Sequence, residues 1–167
     1  MSNTPSIAPN TTLTSTVHQN RSQSEPLYTL GIGGHKVHSK VATWNTARKI
    51  CEREGGYLAI INSVAESEII AQLFRASLPH VGSSNSGYVH IGFHDLYQEG
   101  EYITVHGESL KNVGFNEWQG SGPDNRDDDE NCGSVYITGR LNDISCKKSY
   151  GFVCEVPYVE GSLIQPQ

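Results

Sequence analysis

The feature that most constrains this chain is a stretch near its C-terminus in which oxygen-bearing side chains and cysteines alternate. It holds runs of Asp, Glu and Asn and three of the cysteines, at Asp124–Asn125, Asp127–Asn131, Asn142–Asp143, Cys132, Cys146 and Cys154. Carboxylate and amide oxygens are hard ligands, which suit calcium better than zinc or copper. The cysteines can fix one such loop against the next. The stretch therefore predicts a calcium site on surface loops that disulfide bonds hold together.

The composition favours one small, loop-rich domain. The chain has 167 residues, the length of one ordinary domain, and its 36% hydrophobic residues and 17 glycines indicate a modest core with many turns. A formal net charge of -6 argues against binding to nucleic acid or to an anionic membrane surface, because both require clustered Lys and Arg. No apolar run approaches the roughly 20 residues that span a bilayer, so we expect no membrane span.

The four cysteines indicate disulfide bonds. Their even number, in a chain rich in glycine and loops, is typical of oxidising compartments, and the alternative is a set of reduced, buried thiols. Three pairings are open, among which Cys132 with Cys146 would close a short loop. We therefore expect a secreted, extracellular protein. Residues 1–26 nevertheless lack a basic start followed by an apolar core, so they show no recognisable signal peptide.

Three segments of the chain differ in composition. Residues 1–26 are rich in Ser, Thr, Asn, Gln and Pro and have few large apolar side chains, so we expect a flexible polar segment. A folded domain is predicted over residues 27–158. Residues 159–167 are predicted to form a frayed tail.

Within the domain, hydrophobic periodicity predicts two helices and several short strands. Apolar residues at spacings of three and four predict a first helix over Val41–Glu54. The Ser63–Glu66 sequence has the pattern of a capping box and opens a second helix. The predicted inner face of that helix is Ile69, Ile70, Leu73 and Phe74. Strands are predicted at Tyr28–His38, Leu58–Ile61, Tyr88–His94, Val135–Thr138 and Tyr150–Val156. Two helices flanked by strands, followed by a long loop region, indicate an α+β fold.

A set of short motifs runs through the predicted domain in a specific order. They are Cys51 in the first predicted helix, His90–Phe93, Trp118, Pro123–Asn125, Glu130–Cys132, Leu141–Cys146 and Gly151–Cys154. Together they resemble the C-type lectin domain, and the chain looks most like insect haemolymph lectins of the immulectin and lipopolysaccharide-binding type. The resemblance implies the short form of this fold, with two helices, two small antiparallel sheets and a long calcium-binding loop region. It also implies the disulfide pairs Cys51–Cys154 and Cys132–Cys146.

The resemblance implies a principal calcium site at which a sugar also binds. Its ligand positions fall on Gly122, Asp124, Glu130, Asn142 and Asp143, and Asp143 is implied to offer its main-chain carbonyl oxygen as well. Gly122 departs from the family, whose mannose-binding members have Glu there and whose galactose-binding members have Gln, because glycine offers no side-chain oxygen. In the family two neighbouring sugar hydroxyls complete the calcium shell and hydrogen-bond with the same side chains, so the implied carbohydrate-binding residues are these same five. Ionised Asp124 only accepts hydrogen bonds, which slightly favours galactose-type over mannose-type sugars.

An auxiliary calcium site is implied as well. Its residues fall on Asp95, Glu99, Asn125 and Asn131. Two of these are amides where the family more often has carboxylates, and the lower charge is expected to weaken the site. The resemblance further implies a cis peptide bond between Gly122 and Pro123. It implies packing roles for His90 and Leu141, where tryptophan is usual.

Other polar residues have simpler interpretations. We expect Asp127–Asp129 to form a solvated acidic loop that raises the local calcium concentration without binding the ion. Lys147 and Lys148 could meet anionic groups of a microbial glycolipid, although most such pairs are only exposed charge. His90 and His94 lie roughly 13 Å apart on a predicted strand, too far to share one zinc ion, and the pair His35 and His38 fails as a zinc site likewise. No Gly-x-Ser-x-Gly or phosphate-binding motif occurs, so we expect a protein that is not an enzyme.

Two functions from different classes remain. The first is a calcium-dependent lectin that recognises carbohydrate on microbial or host surfaces, as a pattern-recognition protein in innate immunity. The second is a lectin-fold interaction module with lost or weakened sugar binding that contacts protein or lipopolysaccharide. Gly122 favours the second function, whereas the four oxygen-bearing ligand positions favour the first.

Overall fold

The computed structural model describes residues 25–78 and 87–157. The predicted polar segment 1–26 therefore lies outside the described residues except for its last two, and the predicted tail 159–167 lies outside them entirely. Of the helices in the described ranges, none has the length and apolar character needed to cross a bilayer.

Eight strands and two α-helices make up the described part of the chain. In order they are β1 (Leu27–Thr29), β2 (Gly33–Ala42), α1 (Trp44–Arg53), β3 (Tyr57–Leu58), α2 (Val64–Ser77), β4 (Tyr88–His94), β5 (Ile103–Thr104), β6 (Cys132–Tyr136), β7 (Leu141–Ile144) and β8 (Tyr150–Val156). The long segment between β5 and β6 contains only short 3-10 turns, at Leu110–Asn112 and Arg126–Asp128. The α+β prediction is thus confirmed.

Both helices lie close to their predicted positions. The helix α1 begins at Trp44 and not at Val41, because β2 continues to Ala42 and pairs there with Tyr150 of β8. At the start of α2, the Ser63 side chain accepts a hydrogen bond from the Glu66 backbone N–H at 3.2 Å, which confirms the capping interaction. The inner face of α2 is narrower than predicted, since Ile70, Ala71 and Phe74 are buried while Ile69 and Leu73 are only half-buried.

The strands form two antiparallel groups that a parallel pairing joins. The continuous strand order is β1-β2-β8-β4-β6-β7, with β3 beside β8 and β5 beside β4. The β4–β8 pair is parallel, with Val89 opposite Gly151 and His90 opposite Phe152. The two small antiparallel sheets that the resemblance implies are therefore present as the two halves of one mixed sheet.

Two disulfide bonds confirm the implied pairing. Cys51–Cys154 ties α1 to β8, and Cys132–Cys146 ties the start of β6 to the segment that follows β7. The two positions where tryptophan was expected, His90 and Leu141, are fully buried and so serve packing as predicted. Burial lowers the pKa of His90 from 6.5 to about 4, so this ring is neutral in the folded protein at neutral pH.

The long loop segment is fixed to the sheet beside β7. Gln119 N–H donates to Leu141 O, and Leu141 N–H donates to Glu117 O, both at 2.8 Å. The indole of Trp118 packs edge-on against Phe93 at a centroid distance of 5.7 Å. These contacts hold the loop that follows Trp118 directly over the strand that carries Asn142 and Asp143.

Candidate functional site

Three carboxylates meet where the acidic loop (residues 121–131) crosses β7. Oxygens of Asp124, Glu130 and Asp143 lie within 4.8 Å of one another, although Asp143 comes from β7 and the other two from the loop. Asp124 is exposed, Glu130 is half-buried and Asp143 is fully buried. The structure thus brings together three of the four predicted oxygen-bearing ligands, and Asn142 lies next to them on β7.

The buried Asp143 carboxylate organises the acidic loop. It accepts hydrogen bonds from Asp124 N–H at 3.1 Å and from Asn125 N–H at 2.7 Å. The hydroxyl of Tyr102 donates to it from the opposite side at 3.4 Å. An ionised carboxylate has about four acceptor positions, so these donors leave room for one further ligand. Sequence reasoning missed Tyr102, because its partner is decided by how the loops pack.

Gly122 and Asn142 adjoin each other at the edge of the carboxylate group. The Gly122–Pro123 peptide bond is cis, as the resemblance implied. The side-chain amide of Asn142 donates to Asp143 O at 2.6 Å, so it occupies the main-chain oxygen that calcium would use. A Cβ atom added at Gly122 would lie 3.2 Å from Asn142 Oδ1. Any side chain introduced at Gly122 would therefore contact the Asn142 amide.

The backbone of the acidic loop is strained. Asn125, Asp127 and Asp128 have φ angles of 39°, 60° and 53°, in the left-handed region. Among non-glycine residues Asn and Asp tolerate this region best, because their short polar side chains can bond locally. Here Asn125 Oδ1 accepts a hydrogen bond from Glu130 N–H at 3.1 Å. Such strain is typical of ligand-binding loops.

The electrostatics of the carboxylate group favour a cation. Burial raises the pKa of Glu130, and the nearby charges of Asp143 and Asp124 raise it further. A cation among the three carboxylates would remove this repulsion. Calcium accepts six to eight oxygens in flexible geometry, and the donors present are all oxygens. The residues therefore fit calcium as the resemblance implies, with Asp124, Glu130, Asn142 and Asp143 as the holding side chains.

The predicted auxiliary site is only partly assembled. Asp95 is buried, its Oδ2 accepts from Gly100 N–H at 2.8 Å, and its Oδ1 has no hydrogen-bond partner among the described residues. Burial raises the pKa of Asp95, and the charge of Asp143 adds to this. Glu99 is exposed, while the Asn125 side chain is already bonded to the acidic loop. The unpartnered oxygen of Asp95 is the feature that a cation would satisfy.

The acidic run divides into two kinds of residue. Asp127 and Asp128 are exposed, in keeping with a solvated loop. Asp129 instead accepts hydrogen bonds from the ammonium group of Lys147 and from the Ser145 hydroxyl. These bonds hold the pKa of Asp129 below its ordinary value. Asp129 therefore fastens the acidic loop to the segment after β7.

The two histidines of β2, His35 and His38, hydrogen-bond to different carboxylates. His35 Nε2 donates to Glu66 Oε1, and His38 Nε2 donates to Glu54 Oε2, both at 2.9 Å. His35 and Glu66 also lie beside Glu155 in a buried group whose potential ligand atoms are within 4.8 Å of one another. Sequence reasoning missed this group, which unites β2, α2 and β8.

A cavity of about 420 Å³ opens beside the carboxylate group. Its lining includes Asp124, Glu130 and Asn142. It also includes Tyr88 and Lys148, which come from β4 and from the segment before β8. Three of the predicted ligand side chains therefore face a space large enough for a small molecule.

Comparison with known proteins identifies the class. A family model described as "Lectin C-type domain" matches residues 40–156. The chain therefore belongs to the C-type lectin domain family, whose members are typically non-enzymatic carbohydrate-binding proteins and generally bind calcium. It is 46% identical over 126 residues to "Hemolymph lipopolysaccharide-binding protein" of Periplaneta americana, which covers 75% of this chain and 49% of that relative. It is 31% identical over 123 residues to "Collectin-43" of Bos taurus, covering 72% of this chain and 35% of that relative.

A solved structure shows the same fold. The C-type carbohydrate-recognition domain of cow CD23, crystallised in the presence of a GlcNAc2Man3 oligosaccharide, superposes with a TM-score of 0.68 at 25% identity. The match covers 84% of this chain and 98% of that domain. The chain spans about half the length of the Periplaneta americana relative and about a third of the length of the Bos taurus relative.

Proposed function

We propose that this protein binds carbohydrate at the acidic loop with the help of one calcium ion held by Asp124, Glu130, Asn142 and Asp143. The observation that carries the proposal is the convergence of three carboxylates within 4.8 Å, two of which, Asp124 and Glu130, line the cavity. A bound calcium ion would supply open coordination positions for two neighbouring sugar hydroxyls. The chain's own role is to hold the ion and to hydrogen-bond those hydroxyls.

Each side chain has a distinct part in that role. Asp124 and Glu130 face the cavity and can accept hydrogen bonds from sugar hydroxyls. The Asn142 amide can both donate and accept. Asp143 is buried and keeps the acidic loop in place through its bonds to the loop's N–H groups. Because ionised Asp124 only accepts hydrogen bonds, galactose-type sugars are favoured, and the preference is slight because Gly122 lacks the Gln side chain of galactose-binding members.

The biological setting follows from the similar proteins. The relative from Periplaneta americana is named for lipopolysaccharide binding in haemolymph. This supports a secreted protein of innate immunity that recognises glycans on microbial surfaces, with host glycans as the other source of the same sugars. Lipopolysaccharide is the corresponding partner.

A second candidate is a lectin-fold module that contacts protein or lipopolysaccharide without calcium. It is favoured by the bond from the Asn142 amide to Asp143 O, which occupies one oxygen that calcium would need. Gly122 works in the same direction, since it supplies no oxygen to the shell.

A glycan array in millimolar calcium and in chelator separates the two candidates. We expect binding in calcium, loss of binding in chelator, and loss of binding in Glu130→Gln. Asp128→Asn is the matched control, because Asp128 lies on the same loop with its side chain exposed, is not part of the cavity lining, and has a left-handed backbone that asparagine tolerates. Binding of the wild type that survives chelation would support the second candidate.

A further inference from the structure

The cavity beside the acidic loop extends beyond the calcium-holding residues. At about 420 Å³ it falls within the size range of small-molecule sites, roughly 300–1,000 Å³. Its lining also includes Tyr88, Tyr150 and Lys148, none of which is a calcium-holding residue. A ligand in this cavity that contacts Asp124 or Glu130 can therefore also contact these residues.

The main chain at Lys148 is fixed in position. His90 Nε2–H donates to Lys148 O at 3.3 Å, and the His90 ring packs edge-on against Tyr150 at a centroid distance of 5.2 Å. His90 itself is fully buried. Two residues earlier, Cys146 is held by its disulfide bond to Cys132. Only the Lys148 side chain remains to be ordered when a ligand binds, which lowers the entropic cost.

The two adjacent lysines differ in how their charges are used. The Lys147 ammonium group is bonded to Asp129. Over residues 25–78 and 87–157, no carboxylate lies at ion-pair distance from the ammonium group of Lys148. Lys148 lines the cavity, whereas Lys147 does not appear in its wall. The charge of Lys148 is therefore available to a ligand.

Arg126 and Tyr88 add a second cation and an aromatic ring to the cavity lining. Arg126 lines the cavity with its side chain 72% exposed, and only a loose contact of 3.6 Å joins it to Asp124. Tyr88 is half-buried, and its ring is supported by Tyr136 at a centroid distance of 4.8 Å. Asp127 and Asp129 line the cavity too, but Asp129 is paired with Lys147. With a calcium ion beside Asp124 and Glu130, Lys148 and Arg126 are the cations of the lining that a ligand can reach, and they lie beside an aromatic surface.

We propose that Lys148, with Arg126, forms a subsite for a negatively charged substituent of the glycan, such as a sulfate, phosphate or carboxylate group. This inference rests on the proposed function and names the chemical class of its ligand. Ammonium and guanidinium groups bind such oxyanions through charge-assisted hydrogen bonds. A neutral sugar would use the carboxylate side alone.

The test measures the affinity for galactose, mannose and their 6-sulfates in millimolar calcium at about 0.15 M ionic strength. We expect the wild type to prefer a 6-sulfate over its neutral parent by roughly five- to tenfold, the effect of one charge-assisted bond partly exposed to solvent. Lys148→Gln should remove this preference and leave the affinity for the neutral sugar unchanged. Lys147→Gln is the matched control and should keep the preference.

The outcomes separate this inference from the proposed function. Calcium-dependent binding of a neutral sugar without any preference for its sulfate overturns the subsite alone, as does an equal loss in the two lysine variants. Absence of binding to all four sugars in calcium overturns both proposals. A second arm compares lipopolysaccharide before and after removal of its phosphates. A loss that depends on Lys148 assigns the anion to microbial phosphate, and equal binding assigns it to sulfated glycans.

Discussion

Two groups of acidic side chains in this molecule differ in the partners that stabilise their carboxylates. In the frame formed by the two helices with β2, β4 and β8, Glu66 and Glu155 are buried beside His35. Glu66 accepts hydrogen bonds from His35 and from Asn62 N–H at 2.8 Å. Glu155 accepts from Ile60 N–H at 3.1 Å. Every partner of this frame group comes from the chain itself.

The carboxylates of the loop group depend on backbone donors and on an exposed cation. The carboxylates of Glu130 and Asp143 receive hydrogen bonds mainly from backbone N–H groups of the acidic loop. The cation at ion-pair distance in this group is Arg126, 3.6 Å from Asp124 and highly exposed to solvent. An exposed pair at that distance contributes little.

The difference shows why the same residue type serves structure in one place and binding in the other. A buried carboxylate that finds its donors within the fold stabilises one conformation. Carboxylates crowded together where a strained loop meets a strand, with an exposed arginine as their counter-ion, leave part of their interaction energy for a ligand. We therefore expect the frame to be insensitive to calcium and the acidic loop to depend on it.

The largest expected effect is the loss of the disulfide in the frame. Cys51 and Cys154 are 103 residues apart, whereas Cys132 and Cys146 are 14 apart. In the chain-entropy model, bonds closing loops of these sizes contribute about 4.7 and about 3 kcal/mol respectively. Urea denaturation of the two Cys→Ala double variants measures both contributions. The frame bond should cost more stability, and the loop bond should cost more calcium affinity. The reverse order would contradict the division into frame and loop.

Acidification should weaken the frame through His90. The pKa of this buried ring is lowered from 6.5 to about 4, so the folded state favours the neutral ring. Its contribution is fully present above pH 6.5 and is lost as the pH falls from 6.5 through about 4. The difference between the two pKa values corresponds to about 3 kcal/mol. Burial lowers the pKa values of His38 and His94 in the same direction.

Urea denaturation of the wild type and of His90→Phe at pH 7 and pH 4 checks this expectation. Phenylalanine keeps a ring in the core but does not titrate. The wild type should lose about 3 kcal/mol more than the variant over this range. Equal losses would mean that His90 does not govern the acid response. Carboxylates with raised pKa values, such as Glu155, act in the opposite sense in both proteins and so cancel in the comparison.

Calcium should stabilise the protein through the loop group alone. At a calcium concentration of 100 times Kd, the free energy of unfolding should rise by about 2.7 kcal/mol. Glu130→Gln should abolish the increase. Glu66→Gln in the frame is the control: it should lower stability by about 1–3 kcal/mol with or without calcium, but keep the increment. Thermal melts in calcium and in chelator measure both quantities. An unchanged melting temperature of the wild type would show that the ligand assignment is wrong.

Most of the frame can be predicted from local patterns. The spacing of apolar residues predicts both helices, and the Ser63 cap marks the start of α2. The motif resemblance predicts both disulfides and the three carboxylates that lie together in the loop group. Other features could not be predicted, because they depend on which loops come together in space. Examples are the second role of Glu66 as the partner of His35, the hydroxyl of Tyr102 on Asp143, and the different partners of Lys147 and Lys148.

The smallest expected effect concerns the position where the loop group lacks an oxygen. A side chain at Gly122 would place its Cβ 3.1 Å from Gln119 O and 3.2 Å from Asn142 Oδ1, a contact that requires a shift of a few tenths of an ångström. If the Asn142 amide turns to relieve it, Asp143 O is released from its present donor. Gly122→Gln should therefore add one oxygen to the calcium shell and free another. We expect calcium affinity to rise by at most about tenfold, which corresponds to about 1.4 kcal/mol.

Gly122→Ala is the matched control for that substitution, since it introduces the same crowding without an oxygen. We expect Gly122→Gln to favour galactose beside Asp124, and Gly122→Glu combined with Asp124→Asn to favour mannose. Calcium titrations and sugar competition measure these changes. If alanine raises the affinity as much as glutamine does, the release of Asp143 O is the whole effect, and the missing oxygen at Gly122 does not limit the site. If none of the variants changes calcium affinity or sugar preference, Gly122 is not the weak point of the acidic loop.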